Sequence, residues 1–256
     1  MAQISQFAFG PVTPVLAYVL AVAGSLLGLH SASRARVTLG RSRAAWLGLA
    51  ALSIGGTAVW GLHVIAMLGF RIDGVEIRYD LRTTLLSAVV AVTGLGLASM
   101  HYLGILAMNT DARVGFNVLI VAASVLIAVV AATVALWFSM RVRGHWATTA
   151  AALVMGLAIG GMHYTGMAAL QVRDDQTRVL PPGVSAFDLL LPLIVIIGVI
   201  GVLLLVTVGL SLTDEERTLE NQFDQQLRDR AAGIRTYVEP DPEPVPPQDS
   251  DQVSWR

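Results

Sequence analysis

Long apolar stretches alternate with short polar breaks along this chain. A helix that crosses a bilayer needs about 20 mostly apolar residues. Clear candidates lie near residues 12–29, 45–69, 117–140, 147–170 and 187–211. A further apolar stretch, residues 83–108, contains several glycines and is a candidate of uncertain form. The pattern predicts an all-α, polytopic membrane helix bundle with six to seven transmembrane segments.

Composition agrees with this pattern. Of the 256 residues, 55% are hydrophobic and only 14% are charged, whereas a soluble domain carries about 25% charged residues. The first apolar stretch lacks the basic segment and cleavage site of a signal peptide, so we expect it to remain as a span. The chain has no cysteine, which excludes disulfides and thiolate metal ligands.

The distribution of arginine predicts the orientation. The first break holds Arg34, Arg36, Arg41 and Arg43 and no acidic residue, which marks it as cytoplasmic. The sequence therefore predicts a multi-pass protein of the bacterial plasma membrane, with its N-terminus outside and its C-terminal tail in the cytoplasm.

Beyond the last apolar stretch the chain changes character. We expect residues 1–212 to form the transmembrane domain. In residues 213–236 large apolar side chains recur at roughly helical intervals, which predicts an amphipathic juxtamembrane helix. Residues 237–256 are acidic and rich in proline, which is typical of a disordered tail.

A histidine motif occurs three times within the apolar stretches. The copies are LHVIAM at 62–67, MHYLGI at 100–105 and MHYTGM at 162–167. Each has a small residue three positions after its histidine and a large, soft side chain four positions after it. Three ionisable groups at the same point of a repeated motif within spans indicate a functional site. The fold is therefore predicted to be built from repeated His-containing helices.

Helical spacing places methionines beside these histidines. Residues i and i+4 share one helical face, so His63 projects with Met67 and His163 with Met167. In the middle copy Ile105 takes that place, and Met108 is predicted one turn further along the same face. The small residues Ala66, Gly104 and Gly166 allow helices to approach closely.

Imidazole and thioether together favour a particular metal. Met and His without a carboxylate favour copper over magnesium, calcium or manganese. Three histidines from three helices could instead suit zinc, although thioether is a poor zinc ligand. Tyr102 and Tyr164 could each support a bound ligand by a hydrogen bond or mark the membrane interface.

These motifs resemble the MHYT domain family of bacterial integral-membrane sensors, named for the tetrapeptide at Met162–Thr165. The similarity covers roughly residues 5–212. It implies a multi-helix membrane domain that binds copper and senses oxygen, carbon monoxide or nitric oxide. Family members are often joined to diguanylate cyclase or phosphodiesterase domains, whereas the tail here is short, so we expect the signal to pass to a separate output protein. The implied ligands are His63, Met67, Met100, His101, Met162, His163 and Met167.

The middle motif poses a geometric problem. His101 follows His63 after a much shorter stretch of chain than the one that separates His101 from His163. After the polar loop only about 20 residues, or ~30 Å of helix, precede His101. A continuous helix would carry His101 to the inner side, away from His63. The alternatives are a re-entrant hairpin broken near Gly94 or Gly96, or a chain that lacks about one helical hairpin relative to the family.

The same residues leave two other function classes open. A haem-binding or electron-transfer protein would use two histidines as axial ligands, and a copper transport or storage module would need a file of Met and His sites through the bilayer. The spans contain no carboxylate pair, catalytic triad or phosphate loop, and no basic patch suits nucleic acid. The sequence therefore predicts a copper-dependent sensor of a diatomic gas or of redox state that is not an enzyme. Its expected partners are the lipid bilayer, a diatomic gas and an output protein.

Overall fold

The computed structural model describes residues 4–5, 7–110, 112–141, 144–173 and 183–238. Within these ranges the helices are α1 (Val12–Val37), α2 (Gly40–Ala51), a π-helix (Leu52–Trp60), α3 (Gly61–Leu68), α4 (Leu81–Thr93), α5 (Leu97–Leu106), α6 (Val118–Arg141), α7 (His145–Ala168) and α8 (Ala186–Val238). The strands are β1 (Ile4–Ser5), β2 (Arg71–Ile72), β3 (Ile77–Tyr79), β4 (Met108–Thr110), β5 (Arg113–Phe116), β6 (Leu170–Arg173) and β7 (Val184–Ser185).

The chain divides into two compact units, Met1–Val208 and Gly209–Arg256. The first unit contains the helix bundle. In the second, the described residues continue α8 to Val238 and expose Phe223 and Leu227. The predicted boundary at residue 212 and the separate juxtamembrane helix stay predictions. The predicted disordered tail lies outside the described residues, apart from its first two, which end α8.

The protein is a helical membrane protein with five helical segments long and apolar enough to cross a bilayer among the described residues. These are Val12–Val37, Gly40–Leu68, Val118–Phe138, Trp146–Ala168 and Ala186–Thr207. The expected count of six to seven segments is not confirmed, because the stretch 83–108 forms two apolar helices, Leu81–Thr93 and Leu97–Leu106, that are shorter than these five. Helices α6 and α8 are largely exposed and apolar, for example at Leu126 and Val202, as suits contact with lipid.

The short helices form a re-entrant hairpin. Helix α4 ends at Gly94, whose φ is 71°, and α5 begins after Gly96, whose φ is 122°. Both values lie in the left-handed region that glycine tolerates best. The 13 residues of α4 extend ~20 Å, which is less than the ~30 Å of a bilayer core. The chain therefore turns back before a full crossing, as in one of the two alternatives to a continuous helix.

Short strands show that the helices are arranged as three repeats. In each repeat a strand precedes a descending helix, and another strand follows the returning helix and pairs with the first. The antiparallel pairs are β1 with β2, β3 with β4, and β5 with β6. Each helical pair therefore starts and finishes at the same end of the bundle, which we call the strand end. The opposite end carries Arg34 and Arg36 at the end of α1 and Arg41 and Arg43 at the start of α2, and it is called the arginine end.

The strand end also fixes where α4 and α8 begin. Asp80 caps α4, since its carboxylate accepts hydrogen bonds from the hydroxyl and the backbone N–H of Thr83 at 2.6 and 2.8 Å. These bonds hold the pKa of the Asp80 carboxyl below its usual value. Strand β7 pairs with β3 immediately before α8 starts. The last span is thereby tied to the middle repeat.

Glycines permit close helix packing inside the first unit. A Cβ on Gly55 would collide with the backbone of Ala91 in α4, and one on Gly24 would meet the backbone of the π-helix at Ala58. A Cβ on Gly156 would meet Val22 of α1. The glycine-rich stretches before the motifs thus serve contacts within one chain.

We predict that Gly94→Ala and Gly96→Ala each destabilise the protein, because an alanine at these φ values is strained by about 1–3 kcal/mol. Thermal unfolding of the purified protein in detergent measures the loss, at roughly 2–4 °C per kcal/mol. Gly48→Ala is the matched control, since Gly48 is helical and its Cβ would meet open space. Equal melting temperatures for all three variants would contradict the hairpin turn.

Candidate metal centre

Each motif histidine lies five residues before the end of its helix. His63, His101 and His163 precede Leu68, Leu106 and Ala168, the last residues of α3, α5 and α7. All three helices run toward the strand end, so the histidines lie at the same depth, ~7.5 Å from the helix ends. The turn at Gly94–Gly96 is what returns α5 to this level.

The three imidazole rings contact one another in the core of the bundle. The ring centroids are 5.4 Å apart for His63 and His101, 5.2 Å for His63 and His163, and 4.9 Å for His101 and His163. The rings meet nearly edge to face, and one ring nitrogen from each lies within 4.8 Å of the others. None of the three residues is more than 4% exposed. We call this cluster the histidine triad.

Small residues of neighbouring motifs make room for the rings. A Cβ built on Gly104 would collide with Nε2 of His63, and a Cβ built on Gly166 would collide with Nε2 of His101. Each of these glycines stands three residues after the histidine of its own motif. The histidine of one repeat therefore packs against the glycine of the next, so the motif's small residue is a steric requirement of the triad.

The triad leaves buried polar atoms without partners. Nδ1 of His63 and Nδ1 of His163 are 3.3 Å apart, a distance at which one can donate to the other. Both ring nitrogens of His101 are buried and have no hydrogen-bond partner. Burying an unpaired polar group costs about 1–3 kcal/mol on mutational evidence. Such orphaned nitrogens facing two further imidazoles indicate a missing shared partner.

The spacing of the nitrogens suits a metal ion. A first-row metal bonded to nitrogen at ~2.0–2.1 Å, as zinc is, keeps two tetrahedral ligand atoms ~3.4 Å apart. The 3.3 Å between Nδ1 of His63 and Nδ1 of His163 matches this edge. Three imidazoles that each offer one nitrogen within 4.8 Å of the others therefore form a candidate site for one metal ion.

The four predicted methionine ligands are all buried. Met67, Met100, Met162 and Met167 are at most 2% exposed, which places them in the same apolar interior as the triad. Met67 also lines a small cavity together with His63. Their ligand roles stay predictions, because packing alone also buries methionine in cores.

Of the three predicted supporting residues, the two tyrosines lie beside triad histidines and Met108 lies in a strand. The Tyr164 ring lies 5.0 Å from the His163 ring, and its hydroxyl is buried without a hydrogen-bond partner. The Tyr102 ring lies 5.1 Å from that of His101, and its hydroxyl shares a hydrogen bond with the Ser124 hydroxyl of α6. Met108 does not continue the helical face of His101, since α5 ends at Leu106 and Met108 pairs with Tyr79 in the strands.

Sequence reasoning missed residues that surround the triad on the side of α4 and α8. A cavity of about 10 Å³ beside His63 is also lined by Tyr79, Ser87 and Leu190. The Nε1–H of Trp60 donates to the Ser87 hydroxyl at 3.0 Å, which joins the helix of His63 to α4. No motif marks Ser87 or Leu190. Trp60 stands one turn before His63, and that spacing is a signal that could mark it.

We predict that Gly104→Ala and Gly166→Ala each lower stability by about 1–3 kcal/mol, the usual effect of overpacking a core. The control is Gly161→Ala in α7, where a Cβ would meet nothing within 4 Å. Thermal unfolding of the metal-free protein compares the three variants. A Gly161→Ala protein as unstable as the other two would count against the close contact between repeats.

Comparison with known proteins places this site in a family of signalling proteins. The chain is 33% identical over 195 residues to the bifunctional diguanylate cyclase/cyclic di-GMP phosphodiesterase MucR of Pseudomonas aeruginosa, covering 64% of this chain and 28% of that protein. It is 32% identical over 195 residues to the cyclic di-GMP phosphodiesterase NbdA of the same organism, covering 63% and 24%. The signalling protein YkoW of Bacillus subtilis is 25% identical over 202 residues, covering 66% and 24%.

These names correct the prediction of a protein without enzymatic character. Two relatives are named as enzymes of cyclic di-GMP metabolism, which contradicts that prediction. The chain spans about a quarter of the length of the curated relatives it matches. The matched residues are those of the membrane region and do not include the relatives' catalytic domains.

A family model supplies the assignment, and no solved structure matches the chain. The model is described as MHYT, a bacterial signalling protein N terminal repeat, and it matches residues 56–94, 94–152 and 156–221. Each matched segment contains one histidine of the triad. Since the three matches cover more than half of the sequence, the chain belongs to the MHYT family of bacterial signalling proteins.

Proposed function

We propose that this protein is a membrane sensor in which the histidine triad binds one copper ion and the bound copper responds to a diatomic gas. The observation that supports this most is the convergence of three buried imidazoles from three repeats, one of them with both nitrogens unpaired. Membership in a signalling family supports a sensing role. Bound copper would supply an open coordination position for oxygen, carbon monoxide or nitric oxide.

The choice of copper rests on the surrounding side chains. His63, His101 and His163 alone would also suit zinc. The four motif methionines are also buried, and thioether together with imidazole favours copper. The apolar walls keep water from the triad, so a small neutral gas enters more easily than an anion.

Two alternative functions have less support. A haem-binding protein needs a porphyrin-sized gap beside histidine, whereas the cavity that His63 lines is about 10 Å³. A copper transporter needs ligands at successive depths, whereas the triad gathers its imidazoles at one level. A single site at a junction of three repeats is more suited to sensing than to passage.

The orientation and the count of segments complete the proposal. With Arg34, Arg36, Arg41 and Arg43 on the cytoplasmic side, the strand end faces outward and the triad lies near the outer surface. The N-terminus is then outside and the end of α8 is cytoplasmic. Five crossing helical segments and the two halves of the re-entrant hairpin make seven membrane-embedded segments.

Helix α8 is the proposed route of the signal. Leu190 of α8 lines the same small cavity as His63 and Tyr79, and a Cβ on Gly61 would meet Ile197 two turns further along α8. A shift of the His63 ring therefore reaches the one span that follows all three repeats. Such a shift signals only when ligand binding stabilises two packing states unequally.

The output is proposed to be an enzyme of cyclic di-GMP metabolism. Two relatives that share this membrane region carry diguanylate cyclase or phosphodiesterase names. The amphipathic part of α8, with Phe223 and Leu227 exposed, offers an apolar face for that output protein.

We predict stoichiometric copper in the wild-type protein and none in the His63/His101/His163→Ala variant, because removing the imidazoles leaves too few ligands. The measurement is total metal analysis of protein purified in detergent, before and after copper loading. His30→Ala is the control, since Nδ1 of His30 contacts the Leu26 carbonyl at 2.9 Å, away from the triad. Zinc in place of copper would overturn the metal assignment. A triad variant that keeps its copper would overturn the site.

We further predict that carbon monoxide added to the reduced, copper-loaded wild-type protein gives an infrared C–O band that the triad variant lacks. The expected band follows from the open position left by three ligands. His30→Ala again serves as the matched control and should keep the band. Copper without any such band would retain the metal site and overturn gas binding.

A further inference from the structure

A large apolar cavity lies on the arginine side of the triad. Its volume is about 480 Å³, and alanine, glycine and larger apolar side chains line it. Three of its lining residues, Val59, Leu97 and Ile159, each stand four residues before a histidine of the triad. The cavity therefore begins one helical turn below the triad and is separated from it by one layer of apolar side chains.

The re-entrant hairpin is the reason for this cavity. In the other two repeats the helices continue to the arginine end, but α4 and α5 turn back at Gly94 and Gly96, which both line the cavity. The half of the membrane beneath the turn contains no helix of the middle repeat. Helices α1, α2, α6 and α7 and the π-helix form the walls of the space that remains.

Two of the helices that line the cavity carry an arginine further along the same face. Ala32 of α1 lines the cavity, and Arg36 follows one turn later on the same face. Ala50 of α2 lines it too, and Arg43 stands two turns away on the same face. Both arginines are exposed, and the segment that holds them contains no acidic residue. The site is thus apolar at depth and cationic at the membrane surface.

We propose that this space binds one anionic phospholipid from the leaflet at the arginine end. One acyl chain fills the cavity up to the layer of Val59, Leu97 and Ile159, and the phosphate lies between Arg36 and Arg43. The cavity volume of about 480 Å³ equals that of ~16 water molecules at ~30 Å³ each. This volume is close to that of one long acyl chain. The proposal does not depend on a metal at the triad.

The shape and charge together favour a lipid over other occupants. A helix from a second chain is ~10–12 Å across and rises ~5.4 Å per turn, so a cavity of about 480 Å³ would hold only about one turn of it. A haem held by histidine is excluded, because none of the described residues that line the cavity is a histidine. An acyl chain gains little by leaving lipid for an equally apolar cavity. Selectivity must therefore come from the head group, through the arginines at the anionic membrane surface.

A bound lipid would also stabilise the triad, by packing against the hairpin turn on its arginine side. Gly94 and Gly96 form the turn that positions α5 and therefore His101. An acyl chain beneath this turn supplies the packing that the truncated repeat lacks. The bound lipid is thus expected to stabilise the hairpin against displacement toward the arginine end.

Native mass spectrometry of the full, metal-free chain in detergent tests the proposal. The probes are phosphatidylglycerol and phosphatidylcholine with identical acyl chains, titrated separately. We expect one phosphatidylglycerol to bind at least tenfold more tightly than phosphatidylcholine. Equal affinity for the two lipids, or no bound lipid at all, would overturn the proposal.

Variants locate the bound lipid. Ala131→Phe fills the cavity from α6 and should weaken phosphatidylglycerol binding at least tenfold, whereas Ala123→Phe on the exposed face of the same helix should not. Ala132→Leu, a smaller change in the same wall, replaces Ala131→Phe should that variant fail to fold. Unchanged binding in the variant used would place the lipid elsewhere and overturn the proposal.

The head group is tested by charge removal. Arg36→Gln with Arg43→Gln should abolish the preference for phosphatidylglycerol over phosphatidylcholine. Arg71→Gln with Arg82→Gln removes the same charge near the strand end and should leave the preference intact. A preference that survives the first pair, or is lost equally with the second, would overturn the assignment of the phosphate site.

Discussion

The requirement that three imidazoles meet at one depth inside an apolar bundle governs the rest of this structure. Each motif helix must end at the same side, so each repeat must leave that side and return to it. Short strands at the helix ends tie departure and return together in every repeat. The rings also need room between helices, and Gly104 and Gly166 provide it. The site therefore depends directly on the fold, because the pairing of the repeats brings the ring nitrogens close to one another.

The sequence predicted the long helices and the identity of the triad, and it failed where short segments decide the structure. A stretch of 20 apolar residues is a clear sequence signal of a membrane helix, since in lipid every backbone polar group must be hydrogen-bonded within the segment. The hairpin remained one alternative among three, because Gly94 and Gly96 could equally serve close packing until their positive φ values are known. Strands of two to four residues carry no pattern of their own, so β4 was missed and Met108 was assigned to a helix that had already ended. The contact of Leu190 with the cavity beside His63 depends on tertiary packing, which no local spacing encodes.

Family membership and the enzymatic names of the relatives bear on different parts of the problem. The shared region is the membrane bundle, and it makes up 28% of MucR and 24% of NbdA. Under the proposed function the bundle determines when a separate enzyme acts, which requires that one helix links the triad to the output protein. Helix α8 meets that condition, since it begins beside β3 at the strand end and passes the small cavity next to His63 before it leaves the first unit.

The middle repeat explains why site and cavity belong together. Its helices have 13 and 10 residues, against 24 each in the third repeat, yet it delivers His101 to the same depth as the longer ones. The helices of the middle repeat can be short because the triad constrains only the distance from the strand end to the histidine. The part of each helix beyond the histidine, toward the arginine end, is not constrained. The length that is omitted must appear as empty space at the arginine end, which is where the 480 Å³ cavity lies. In a bilayer such a space is filled by hydrocarbon, so the lipid beneath the turn becomes part of what holds His101 in the triad.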